Sequence, residues 1–162
     1  MVARLPRGSA VVYRAFGGPE AVGRGLALAR QARLRGVAFF VGADVRLAVR
    51  LRADGVHLPQ RSTGRTGTIA ALRHRFLVTG AAHGLPAALR ARRGGLDAIV
   101  VSPVFASASP SAGRSLGLLR FASLVRQAGL PAYALGGVND RTIRRLKGSG
   151  AAGMAAIDGL LI

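Results

Sequence analysis

The chain of 162 residues has no cysteine and no tryptophan, a single lysine (Lys147) among 24 basic residues, and only six acidic residues. Without cysteine there is no disulfide, no thiolate metal site and no cysteine nucleophile. No apolar run approaches membrane-spanning length, and Arg4, Arg7 and Arg14 interrupt the first apolar residues, so no signal-peptide core forms. A cytoplasmic location is expected, with no membrane partner. Two tyrosines and no tryptophan leave no aromatic platform for stacking single-stranded bases. What remains is an apolar chain, 50% hydrophobic and 19% charged, which is a core-forming composition and not a disordered one. Its length suits one well-buried domain, read here as residues 1–162.

The formal charge of +18 invites a nucleic-acid reading. The positions of the arginines argue for another use. Arg30, Arg33 and Arg35 precede Gly36, Arg90, Arg92 and Arg93 precede Gly94, and Arg144, Arg145 and Lys147 precede Gly148. Each cluster fits the last turn of a helix ahead of a glycine C-cap, where cations complement the helix dipole and its free carbonyls. A structural use of arginine is therefore favoured over nucleic-acid binding.

Short segments rich in Val, Ile, Leu, Phe and Ala recur at 10–14, 37–41, 55–58, 76–79, 98–102, 131–135 and 153–157. They do not alternate cleanly, as expected of strands covered on both faces. Helical patterns fill the gaps. Leu118, Phe121, Ala122 and Val125 make one apolar stripe; Val22, Leu26 and Ala29 make another, opposite Arg24, Gln31 and Arg35. An Asn-capped helix is expected over 139–147. Regular β-α alternation means a parallel sheet, closed as a barrel or open and doubly wound. No G-x-G-x-x-G follows the first strand, which counts against a dinucleotide-binding open sheet.

In a parallel barrel the working groups stand at the C-terminal strand ends. Those ends carry Arg14, Asp44, His57 with Gln60, His83, the segment 102–111, Gly136-Gly137 and Asp158. Arginine offers a planar fork, serine a hydroxyl, and glycine a main-chain N–H that no Cβ screens. The set is rich in donors and poor in carboxylates, which points to an anion site, phosphate above all. Asp44 reads equally as a helix N-cap, His57 as a packed strand-end histidine, Asp140 as a helix-start residue, and Asp158 as a cap or a general base. No cluster has metal-ligand spacing and no Ser-His-Asp set is legible.

The segments ADGVHLPQ (53–60), SPVFASAS (102–109), ALGGV (134–138) and GAAGMAAIDG (150–159) resemble, in order and spacing, the thiamine phosphate synthases and thiazole tautomerases. The resemblance implies a TIM-type (β/α) barrel. It also implies a reaction joining an aminopyrimidine-methyl diphosphate to a thiazole phosphate with Mg²⁺. Arg14 and His83 match the family's catalytic Arg and His, and Asp158 stands where a phosphate-binding Ser is usual. Ser107, Ser109, Gly136 and Gly137 match its thiazole-phosphate positions. Val12, Phe16, Ala43, Ser62, Ala81 and Pro110 replace family Gln, Lys, Asp, Asp, Ser and Lys, so both Mg²⁺ carboxylates are lost and no bound metal is expected. Pro103 stands at the tautomerase histidine.

Against that family the chain reads as a barrel lacking the first strand-helix unit and the last helix, with Met1 the start of a shortened reading frame or of a chain that closes its open strand edges through a homo-oligomer. Three functional readings stay open. The first is a thiamine-biosynthesis enzyme acting on a small phosphorylated substrate. The second is a non-catalytic phosphate-ligand barrel, and the third a basic nucleic-acid module.

Overall fold

The computed structural model describes residues 2, 5–15, 17–107 and 113–157. Seven strands, β1 (Ala10–Tyr13), β2 (Ala38–Gly42), β3 (Gly55–Leu58), β4 (Leu77–Ala82), β5 (Ala98–Val101), β6 (Ala132–Ala134) and β7 (Gly153–Met154), lie within one residue of the expected segments except at the ends of β4 and β7. They form one parallel sheet in sequence order, with β1 and β7 at its ends. Helices α1 (Ala21–Arg35), α2 (Val45–Arg50), α3 (Thr66–Arg73), α4 (Leu85–Gly94) and α5 (Leu118–Ala128) connect them. Crossovers of one hand between strands laid down in one direction put every helix on the same face of the sheet. The sheet then curls around its other face, which is the winding of a (β/α) barrel and not of a doubly wound sheet.

The packing follows that geometry. Phe39, Val41, Val56, Val78, Ile99 and Val101 are buried with the helix residues Ala29, Ala32, Ile69, Ala88 and Phe121. Complete burial of Phe121 alone contributes about 2–3 kcal/mol. The opposite face is only partly covered: Val12, Leu77 and Tyr133 are 40%, 52% and 37% exposed, so the expectation of strands covered on both faces fails there. Leu26 is also 47% exposed, not inward as its spacing suggested. Gly25 takes the inward position instead, and a Cβ there would stand 3.1 Å from the Tyr13 ring. Helix α1 lies too close to β1 and Leu51 for a side chain at that point.

Two further expectations are corrected. Residues 139–147 hold no α-helix, only a 3-10 turn at Ile143–Leu146. The Asn139 Oδ1 accepts the N–H groups of Arg141 and Thr142, but the Thr142 hydroxyl donates to the Gly137 carbonyl at 2.7 Å and holds the first turn back against β6. The C-cap of α4 is Gly95, not Gly94, and Gly94 is buried against the Thr63 carbonyl.

Helices α1, α4 and α5 end on left-handed glycines, Gly36, Gly95 and Gly129, and arginines from elsewhere lie over all three. A Cβ on Gly36 would stand 3.3 Å from the Arg7 guanidinium, one on Gly95 3.6 Å from Arg73, and one on Gly129 3.0 Å from Arg92. These cations sit where helix carbonyls carry partial negative charge.

Two of the few carboxylates have a paired structural role that the sequence analysis missed. Asp54, just before β3, donates its N–H to the Phe39 carbonyl (2.9 Å) and accepts the Phe39 N–H on Oδ2 (2.8 Å). Asp97, just before β5, does the same with Val78, at 2.8 and 2.7 Å, and pairs with Arg73 at 3.1 Å. Val78 is fully buried. Removing the acceptor leaves its N–H without a partner, a cost of about 1–3 kcal/mol. We expect Asp97→Ala to lower unfolding free energy in urea by about 2 kcal/mol, and Asp97→Asn, which keeps an acceptor oxygen, by less than half as much. Equal losses in the two variants would contradict the clasp.

Candidate functional site

Because every strand runs the same way, all C-terminal strand ends face one mouth. On its β1–β3 side, Arg14 follows β1 and lies across Gly42, whose missing Cβ would stand 2.9 Å from the Arg14 Cγ. Gly42 is in register with His57, and His57 with Thr79. The His57 Nδ1 is 3.0 Å from the Thr79 hydroxyl. Burial, with the Arg14 cation adding to it, lowers the His57 pKa from 6.5 to about 4. This histidine is neutral at physiological pH, beside a guanidinium and the Thr79 hydroxyl.

On the β4–β6 side, His83 follows β4. Its main-chain N–H donates to the Gln60 Oε1 at 2.8 Å, and its Nδ1 is 2.7 Å from the Ser102 carbonyl oxygen. The 3-10 turn Gln60–Ser62 is held by Thr63, a fully buried residue that donates to the Gln60 carbonyl and packs between Gly80 and Gly94.

Beyond β5, residues 103–106 run directly over Gly136 and Gly137. Val104 N–H donates to the Leu135 carbonyl (2.9 Å) and Phe105 N–H to the Gly136 carbonyl (3.0 Å). Gly136 and Gly137 adopt φ of +89° and +63°. A Cβ on Gly136 would stand 2.7 Å from the Pro103 Cβ, and one on Gly137 would collide with the Ala106 carbonyl. Close packing thus demands glycine at both positions whether or not an anion binds. Among the described residues neither amide N–H donates a hydrogen bond, and both residues are half-buried. Arg145 covers the buried Phe105, its guanidinium 4.9 Å from the ring centroid, and braces this segment.

The expected site residues therefore fall into two groups around one mouth: Arg14 with His57, and His83 with Gly136, Gly137 and the segment leading to the exposed Ser107. Ser109 and Asp158 lie outside the described residues. The expectation for Asp44 as an N-cap is met: its Oδ1 accepts the Leu47 N–H at 2.9 Å. Glu20 pairs with Arg24. With Ala43 and Ser62 at the two carboxylate positions, the described side chains do not fit a Mg²⁺ site built on paired aspartates. The roles of Gln60 and Thr79 were missed. Gln60 stands three residues beyond His57 at a strand end, but nothing in the sequence says that it reaches across to His83.

A strand-ordered parallel sheet with helices on one face and all strand C-termini at one mouth defines a fold of the (β/α)-barrel class. The sequence model of the thiamine monophosphate synthase family matches residues 7–160, and the chain belongs to that family. It is 35% identical over 114 residues to the putative thiamine-phosphate synthase 2 of Aquifex aeolicus, covering 70% of this chain and 60% of that protein. It is 31% identical over 141 residues to the thiamine-phosphate synthase of Limosilactobacillus fermentum, covering 84% and 66%. Its fold superimposes on the thiamine phosphate pyrophosphorylase of Pyrococcus furiosus with a TM-score of 0.80 and 26% identity, covering 96% of this chain and 75% of that one. The chain thus spans less than two thirds of the length of these two curated relatives.

The depressed pKa of His57 has a measurable consequence. Between pH 6.5 and about 4 the unfolded state binds a proton that the folded state refuses, so stability falls as pH drops through that window and is unaffected above it. The full window is worth roughly 3 kcal/mol at most. His57→Gln should flatten this arm of the urea-derived stability profile, and an unchanged slope would show that His57 titrates normally.

Proposed function

We propose that residues 1–162 form one barrel domain of thiamine biosynthesis that works in the cytoplasm and binds a thiazole-phosphate-like ester at the mouth. In this reading the Gly136 and Gly137 N–H groups receive the phosphate, aided by the Arg14 guanidinium and the hydroxyls of Ser107 and Ser109. The observation that carries it is a pair of amide donors that spend no hydrogen bond among the described residues, on backbone held at positive φ where a Cβ would clash. Asp158 and His83 are the groups we assign to proton transfer. Family membership supports the ligand class.

The diphosphate half of the reaction is poorly supported by these residues. Departure of diphosphate needs neutralising charge, and Ala43, Ser62 and Pro110 supply none. Their loss removes several kcal/mol of transition-state stabilisation. We therefore assign binding without efficient transfer. The rival reading is a family transferase that retains turnover.

Calorimetry with thiazole phosphate tests the binding, and product formation from aminopyrimidine-methyl diphosphate with Mg²⁺ tests the chemistry. We expect saturable binding that Arg14→Ala weakens about tenfold or more, as loss of a charge-assisted hydrogen bond requires. Binding indifferent to Arg14, or none at millimolar ligand, would overturn the site. Turnover comparable to a family synthase would overturn the assignment of weak chemistry.

We further propose that the end strands of the curled sheet, β1 and β7, associate with a second copy of the chain. Among the described residues each of these two strands pairs on one side only, and such edges favour association. Sedimentation velocity should then show a dimer or larger species at micromolar concentration, and a monomer across that range would refute it. Nucleic acid has no place in this reading, because Arg33, Arg35, Arg92, Arg93 and Arg126 stand in the last turns of α1, α4 and α5, where cations complement the helix dipole.

A further inference from the structure

Two contacts define the setting of His83, and one of them is unambiguous about protons. The Ser102 carbonyl oxygen stands 2.7 Å from Nδ1 and can only accept, so that nitrogen must carry the hydrogen. An unprotonated Nδ1 at that distance would oppose two lone pairs. The Ser102 hydroxyl is farther from the same nitrogen, at 3.3 Å. Gln60 holds the His83 main chain from the other side through its 2.8 Å bond to the N–H. Gln60 is itself fixed because Thr63 locks its turn between Gly80 and Gly94. The imidazole is exposed, so its second nitrogen faces the mouth or solvent and not a packed wall.

We propose that Gln60 and the Ser102 carbonyl are positioning groups that hold His83 as its Nδ1–H tautomer, so that Nε2 presents a lone pair to the mouth as the site's acceptor for a ligand N–H or O–H. In a neutral free imidazole the Nε2–H tautomer is the favoured one, so this arrangement reverses the intrinsic preference. His83 then cannot serve as a neutral Nε2–H donor to an anion, and the anion must rely on Arg14 and the glycine amides. The acceptor role rests on the mouth being a ligand site. The tautomer does not, and it can be read in the ligand-free chain whatever thiazole phosphate does.

Long-range ¹H–¹⁵N correlation on the uniformly labelled full chain reads the tautomer directly. The protein has three histidines, and His74→Asn leaves two imidazoles to assign. At pH 8 we expect the His83 Nδ1 resonance in the protonated range and Nε2 in the unprotonated range. The reverse pattern, or two averaged resonances, overturns the proposal. Gln60→Leu should draw the two resonances toward one another as the tautomers begin to average, and an unchanged pattern would remove Gln60 from the positioning pair. Ser102→Ala keeps the carbonyl and should leave the pattern intact. If it instead flips the tautomer, the hydroxyl governs and the carbonyl assignment falls. Wild-type spectra decide the central point even if a variant proves unstable.

Discussion

The pair of aspartate clasps at the lower edge of the sheet sets what meets at its upper edge. Asp97 grips both polar groups of Val78, and from there β4 and β5 run in fixed register to Ala82 opposite Val101. One residue further on, His83 comes beside Ser102. Asp54 grips Phe39 in the same way, and β2 and β3 then bring Gly42 opposite His57. A slip of one residue in either pair would send alternate side chains to the wrong face. It would also separate the His83–Ser102 contact or lift His57 away from Arg14. Stability at the strand starts and geometry at the strand ends are thus one constraint.

The same scarcity of carboxylates explains the charge distribution. Of six acidic residues, two serve as clasps, Asp44 caps α2 and Glu20 pairs with Arg24. Few counter-ions are left for 24 cations. Arg7 and Arg92 lie over the terminal glycines of helices on other segments, where helix carbonyls carry partial negative charge, and Arg73 does so while also pairing with Asp97. Such pairing is local and survives salt poorly at the surface, where each contact is worth about 0.3–1 kcal/mol. Its contribution is collective.

The strands were legible because burial on the helix side makes each a short apolar run, and the runs recur with helical patterns between them. The segment 139–147 misled because its polar-apolar spacing and its Asn cap are those of a helix. The Thr142 hydroxyl bonded to the Gly137 carbonyl, β-branched Ile143, and glycines at 148 and 150 leave room for only one tight turn. Leu26 misled because the pattern counts side chains and cannot see that Gly25 marks the point of closest approach. At the site, Arg14 and the glycine pair were readable as donors at strand ends, and His83 as a polar group at another. The clasps had a signal in the recurring Asp ahead of a strand, in ADGV and LDAI. The reach of Gln60 to His83 had none, because it depends on how Thr63 seats the intervening turn.

The mouth is consequently divided by chemistry. Donors gather around Arg14 and the Gly136 and Gly137 amides, while the tautomer we propose for His83, with its Nδ1 hydrogen directed at the Ser102 carbonyl, leaves Nε2 as an acceptor. A ligand that satisfies both sets carries an anion at one end and a hydrogen-bond donor at the other. Desolvating an acceptor without a partner costs about 1–3 kcal/mol, comparable to what one charge-assisted contact contributes. In the proposed site, selectivity therefore rests on the His83 acceptor as much as affinity rests on the glycine amides.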